Sequence, residues 1–250
     1  MKLHIVSDIH IDHCPYNSGS KSFFPFHPRL CIEQLFNDVN KDESILLVAG
    51  DLSNGNSLPL AQMWLTEMSK WFKAVIFIAG NHDYWGNNFA RTNKVLKSYQ
   101  SDNVHYLNNN AIAIDGQRFV GTTLWPHWQS ENPIYEYQMP DFEFLGQAIY
   151  KENEKAEKFL YDNVQDGDVV LSHHMPDRSC VAPGYLGSPM NRFFLTQLDP
   201  ALIKRAKLWH FGHTHNHRDF MLDNCHMICN PLGYPHEYET SGYVPTMIEI

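Results

Sequence analysis

Two hydrophobic patterns alternate along the first hundred residues. Leu3 to Ser7, Ser44 to Ala49 and Ala74 to Ala79 are short, largely apolar runs, the pattern of strands buried on both faces. Between and after them the apolar positions fall three and four residues apart: Leu30, Leu35 and Val39, then Ala61, Trp64, Leu65 and Met68, then across Phe89 to Tyr99. That spacing lays a stripe along one side of a helix. Strand and helix in turn predict β-α-β units around a sheet.

The middle of the chain changes character. Val104 to Leu107, Ala111 to Ile114 and Arg118 to Thr123 read as consecutive strands. Gly121 to Gly146 is aromatic and broken by prolines, with Trp125, Trp128, Tyr135, Tyr137, Phe142 and Phe144. Aromatic rings stack on ligands and fill cores equally well, and a packed surface excursion is preferred here over a lid. A helix is expected from Ile149 to Val164, strands at Asp168 to Ser172 and Leu208 to Phe211, and strands joined by turns from Asp219 to Ile250. The drift from α/β toward β predicts two sheets with helices outside rather than one flat sheet.

Composition narrows the function. With 250 residues the chain is long enough for one full domain, taken as residues 1–250. Nineteen Lys and Arg against 28 Asp and Glu give a net charge of −9, which argues against a basic surface for nucleic acid. No apolar run approaches the roughly 20 residues of a membrane span. Met1 to Val6 reaches Asp8 before an apolar leader forms. Five cysteines (14, 31, 180, 225 and 229) show no framework pattern, so a reducing, cytoplasmic setting is expected. Cys225 and Cys229 read as strand residues rather than half of a zinc site.

Chemistry collects where the strands end. Asp8-Ile9-His10 follows the first strand, Gly50-Asp51 the second, and Gly80-Asn81-His82-Asp83 the third. His173 and His174 follow Val169-Val170-Leu171, and Gly212-His213-Thr214-His215 follows the strand at Leu208. Taken singly, Asp8 and Asp51 fit ordinary turn or capping carboxylates. Together, five polar clusters at five strand ends can meet in one place. In extended backbone, residues i and i+2 point the same way, so Asp8 with His10, and His213 with His215, are expected to face one cavity. Carboxylate, imidazole and amide oxygen suit a divalent transition metal (Mn, Fe, Zn, Ni or Co). There are too many ligands for one ion and about enough for two, with a carboxylate bridging them.

The order D-x-H, G-D, G-N-H-D, H, G-H-x-H resembles the signature of the calcineurin-like metallophosphoesterases, and it runs from Asp8 to His215. The resemblance implies an α/β fold in four layers, α/β/β/α, with a two-sheet β-sandwich core flanked by helices. It implies that Asp8, His10, Asp51 and His215 hold one ion, and Asp51, Asn81, His173 and His213 the other. Asp51 would bridge, and His173 is preferred to His174 because the family's single histidine comes straight after the strand. His82 would protonate the leaving oxygen, and Asp83 would orient His82.

The implied reaction is hydrolysis of a small-molecule phosphoester, diesters somewhat favoured, with two divalent transition-metal ions and no membrane partner. Gly50-Asp51-Leu52-Ser53-Asn54-Gly55 lacks the arginine of the protein phosphatases, and Asn54 stands where purple acid phosphatases place a tyrosine. The alternatives are a nuclease or nucleotide pyrophosphatase of the same family, or a non-catalytic scaffold on its fold. Asn230-Pro231-Leu232-Gly233-Tyr234 resembles a segment of some bacterial members; alone it reads as a turn. Asn17 to Ser20 reads as a loop near the first motif, and His13 and His217 are pocket candidates by sequence proximity.

Overall fold

The structure is a computed structural model that describes residues 1–13, 35–237 and 243–250. The Asn17 to Ser20 loop, Cys14, Cys31 and the start of the helix expected at Leu30 lie outside the described residues. Leu35 is helical and Val39 lies past that helix end.

One sheet joins β1 (Lys2–Val6), β2 (Ser44–Ala49), β3 (Ala74–Ile78), β4 (Val104–Tyr106) and the C-terminal β11 (Thr246–Glu249) in the order β11-β1-β2-β3-β4. A second joins β5 (Asn110–Ile114), β6 (Gln117–Thr122), β7 (Asp168–Ser172), β8 (Ala206–His210), β9 (Arg218–Leu222) and β10 (Cys225–Cys229) in the order β5-β6-β7-β8-β10-β9. β1 to β4 run parallel, as do β6, β7, β8 and β10. The antiparallel strands, β11, β5 and β9, stand at the edges.

The period of two sorts each central strand onto two cores. Leu3 and Ile5, Ile45 and Leu47, Ile76 and Ile78, Val169 and Leu171 meet between the sheets with Phe119, Leu208 and Ile228. The intervening residues, such as Leu46, Val48, Val75 and Phe77, face outward into a helix-covered cluster. Val170, Trp209, Met227 and Cys229 do the same on the second sheet. Cys225 and Cys229 are thus buried strand residues, as the sequence suggested.

Helices cover both outer faces. α1 (Leu58–Trp71) has a proline in its first turn and buries Leu58, Ala61, Trp64, Leu65 and Met68, the expected stripe. α2 (Phe89–Ser98) is capped by Asn88, whose side chain accepts from the Arg91 N–H. The aromatic stretch folds as two short helices, α3 (Asn132–Tyr135) and α4 (Pro140–Leu145). α5 (Ala148–Asn163) buries Ala156 and Leu160 on the second sheet. This is the α/β/β/α sandwich that the motifs implied. α6 (Pro200–Ile203) leads into β8.

Polar contacts also tie the sheets together near the strand ends. The His210 ring nitrogens lie 2.9 Å from the Val6 carbonyl oxygen of one sheet and 3.2 Å from that of Ile228 in the other. The Thr123 hydroxyl donates to the Ala79 carbonyl. The parallel strands of both sheets therefore end at one common edge.

The inter-sheet core should carry much of the stability. Phe119 is fully buried there, so Phe119→Ala should lower unfolding free energy by about 3–5 kcal/mol. Urea denaturation checks this; a loss below about 1 kcal/mol would contradict the packing.

Candidate metal centre

All five polar clusters come together at that shared edge. Asp8, His10 and His215 form one group whose ligand atoms lie within 4.8 Å of one another, and Asp51, His173 and His213 form another. Asp51 Oδ2 lies 3.7 Å from His10 Nε2 and 3.4 Å from His173 Nε2, so it faces both groups. Asn81 Oδ1 lies 2.8 Å from His173 Nε2. His10, Asp51 and His82 make a third, overlapping set. His173 is turned into the cluster, whereas His174 Nδ1 donates to the Thr123 carbonyl and its ring packs beside Trp125.

The backbone that delivers these side chains is not extended. Asp8, His10, Asp51, His213 and His215 all have positive φ, between 46° and 66°. The i, i+2 pairs do face one cavity, but through left-handed turns rather than strand alternation. Such conformations cost roughly 1–3 kcal/mol apiece and gather at functional sites. Neighbouring loops hold them: the Asp8 N–H donates to the Gly50 carbonyl, and His10 N–H to that of Asp51. Gly50 has φ of +87°, and a Cβ there would lie 2.5 Å from His173 Nδ1. Only glycine fits.

Hydrogen bonds fix which ring nitrogen of His173 and of His215 faces the cluster. His173 Nδ1 donates to the Ala49 carbonyl at 2.8 Å, which turns Nε2 toward Asp51 and Asn81. His215 Nδ1 donates to Glu237 Oε2 at 2.7 Å, leaving Nε2 toward Asp8 and His10. This is how proteins orient metal-binding imidazoles. Asp51 Oδ1 is held by the His82 N–H and Asp8 Oδ1 by the His213 N–H.

The donor set fits divalent transition metals. His10 Nε2 and His215 Nε2 point at each other across 3.1 Å, and His213 Nε2 is buried without a partner. Four imidazoles, two carboxylates and an amide oxygen are a nitrogen and oxygen set of intermediate softness. Among the described residues, no lysine or arginine lines the adjoining cleft of about 860 Å³.

A family model for calcineurin-like phosphoesterases matches residues 1–217. This chain belongs to that family. It is therefore a metallophosphoesterase, a hydrolase that depends on metal ions. An uncharacterized protein of Acanthamoeba polyphaga mimivirus is 24% identical over 271 residues, covering 94% of this chain and 92% of its own. Among solved structures, the phosphopantetheinyl hydrolase of Mycobacterium tuberculosis superposes with a TM-score of 0.70 at 17% identity, covering 98% of this chain and 95% of that one. That likeness establishes a shared fold.

Within this phosphoesterase, several surroundings of the cluster differ from the sequence expectation. Asp83 does not touch His82: its carboxylate accepts the N–H groups of Asp51, Ser53 and Gly80. It clamps the loops after β2 and β3 together instead. His82 Nδ1 is buried without a partner, and its ring lies flat on Trp85, centroids 3.6 Å apart. Tyr234 of the Asn-Pro-Leu-Gly-Tyr segment is no mere turn residue. It stacks on His10 at 4.4 Å and brings its hydroxyl 3.4 Å from His82 Nε2. His13 packs beside Tyr234 at the rim, and His217 is exposed.

Glu237 and Asp141 were not singled out from the sequence. Glu237 belongs to no motif and is recognisable only by its bond to His215. Asp141 Oδ1 accepts from Asn81 Nδ2 at 2.9 Å and from Trp85 Nε1 at 2.7 Å. The aromatic stretch is thus a wall of the site, with Gln138 to Asp141 lining the cleft. The loop after His173 supplies the facing wall through Val181, Ala182, Tyr185 and Met190.

Electrostatics make the cluster bind positive charge. Burial would raise the Asp51 carboxyl, but the neighbouring His173 and His82 hold it well below the usual carboxylate range. Burial would lower His173, yet Asp51 pushes it up to about 9. Burial likewise opposes His215, but bonds with Asp8 and Glu237 push it up to about 10. Burial drives His10 and His174 down to about 3.

These shifts give a pH signature for chelator-treated protein. Histidines raised above their unfolded value near 6.5 stabilise at low pH, and that stability disappears as pH rises toward 9 and 10. Histidines held neutral by burial lose stability as pH falls from about 6.5 toward 3. Thermal denaturation of metal-free protein should therefore peak near pH 6.5. Added divalent ions should flatten the alkaline limb, because they replace the protons on His173 and His215. An alkaline limb unmoved by metal would contradict this assignment.

Proposed function

We propose that this chain, as one domain over 1–250, hydrolyses a phosphoester of a small-molecule alcohol with two divalent transition-metal ions, phosphodiesters being favoured over monoesters. Asp8, His10, Asp51 and His215 would hold one ion, and Asp51, Asn81, His173 and His213 the other. Manganese, iron, zinc, nickel and cobalt all suit these donors. The observation that carries the reading is the position of Asp51 Oδ2 between His10 and His173, one from each proposed set. When bound, the two ions supply an activated water and offset charge on the phosphoryl oxygens.

His82 is the candidate general acid. It is half-buried on the cleft wall, and its Nε2 has one long contact, to the Tyr234 hydroxyl. That nitrogen is free to protonate a departing oxygen. Its ring is steered by stacking on Trp85 rather than by Asp83. Asn81 binds through a neutral oxygen, which keeps the centre cationic for an anionic substrate. Met139, Met175, Val181, Met190 and Phe194 line the outer cleft, which favours an uncharged, partly apolar alcohol arm.

That lining weighs against the nuclease and nucleotide pyrophosphatase readings, which need cationic side chains for further phosphates. A neighbour of the same fold is described as a phosphopantetheinyl hydrolase, which agrees with hydrolysis of a small-molecule ester. The scaffold reading is disfavoured by the complete set of donors beside His82. The three described cysteines are free and buried, which supports a cytoplasmic setting.

His82→Ala should keep both ions and lower kcat by about 10²–10⁴-fold on alkyl diesters. Esters with a good leaving group, such as p-nitrophenol, should lose far less. Wild-type rates of His82→Ala on alkyl diesters would remove the general-acid role. Asp51→Asn should weaken both ions together in metal titrations; one ion held at wild-type affinity would remove the bridge.

A further inference from the structure

We propose that Asp141 is a positioning residue that sets two parts of the centre at once: it fixes which end of the Asn81 amide faces the metal set, and it holds Trp85 against His82. The proposal rests on the two-metal reading above for its first half; the second half stands on the protein alone.

Asp141 lies in the first turn of α4 and is 4% exposed. Its Oδ1 accepts from both Asn81 Nδ2 and Trp85 Nε1. A carboxylate oxygen can receive only the NH₂ end of an asparagine amide. The opposite end, Oδ1, is therefore turned toward His173, where it lies 2.8 Å from Nε2. With the amide reversed, two N–H bonds would point into the proposed cation site and the oxygen at a carboxylate. Both contacts would be repulsive. The amide cannot choose its own orientation by shape, because its two ends are nearly isosteric. Asp141 makes the choice.

The second bond works through stacking. His82 has no hydrogen bond at Nδ1. Three aromatic rings stand around it: Trp85 at 3.6 Å, His10 at 4.7 Å and Tyr234 at 6.2 Å. Trp85 is the closest, and Asp141 holds the Trp85 indole N–H. Phe144, three residues further along α4, also stacks on Trp85 at 5.2 Å. The aromatic excursion thus delivers one buried acceptor that orders a proposed ligand and the support of the proposed acid.

The alternative is that Asp141 merely anchors α4. Three full-length variants separate the two: Asp141→Ala, Asp141→Asn and Trp85→Phe, each stripped with chelator and titrated with Mn²⁺ by calorimetry. Asp141→Ala should weaken one of the two ions by about 10–100-fold and leave the other within about threefold. Asp141→Asn keeps an accepting oxygen and should restore most of that affinity. Trp85→Phe should keep both ions but slow alkyl more than aryl esters. In metal-free protein, Asp141→Ala should change the near-ultraviolet circular dichroism of tryptophan, and should not do so in a Trp85→Phe background. Equal loss of both ions with a lower melting temperature, or no change in either ion and in the dichroism, overturns the proposal. A wild-type protein that takes up no Mn²⁺ removes the metal reading and with it the Asn81 half. The dichroism then still decides the Trp85 half.

Discussion

The centre depends on one buried carboxylate being shared. Asp51 is 1% exposed, has a left-handed backbone, and splits its two oxygens between different tasks. One accepts the His82 N–H; the other looks at His10 on one side and His173 on the other. A buried anion is tolerable only when opposite charge or donors surround it. Here imidazoles that follow strands of both sheets do that, and His173 is in turn tied to the Ala49 carbonyl. Moving Asp51 would break the link between the two groups of donors.

The sandwich exists, for this purpose, to bring strand ends from two sheets to the same edge. The ends of β1, β2 and β3 carry Asp8, His10, Asp51 and Asn81, and those of β7 and β8 carry His173, His213 and His215. The inter-sheet core holds the sheets at a fixed spacing, and His210 and Thr123 cross between them close to the site. Strain in five of the proposed ligand residues is the cost of presenting side chains from such tight turns. Asp83 helps offset it by gathering three N–H groups from two of the loops.

Much of the arrangement was legible in the sequence because it is local. Each strand is a short apolar run, each motif follows directly on its strand, and both features survive reading one residue at a time. The two-sheet layering and the meeting of the five motifs at one edge follow from that. What was not legible depends on contacts distant along the chain. Glu237 meets His215 across 22 positions and Asp141 meets Asn81 across 60, and neither carries a motif. The family resemblance implied that Asp83 orients His82; in the 3-10 turn at His82–Tyr84 its carboxylate instead accepts the N–H groups of Asp51, Ser53 and Gly80. The expected i, i+2 pairs do face one cavity, but the left-handed turns that place them leave no hydrophobic period to read.

The central claim is that two ions sit on either side of Asp51. The most direct measurement is anomalous diffraction from crystals loaded with Mn²⁺. The account predicts two peaks about 3.5–4 Å apart flanking Asp51 Oδ2, one beside His10 and His215 and the other beside Asn81 and His173. A single peak, or peaks away from Asp51, would contradict it.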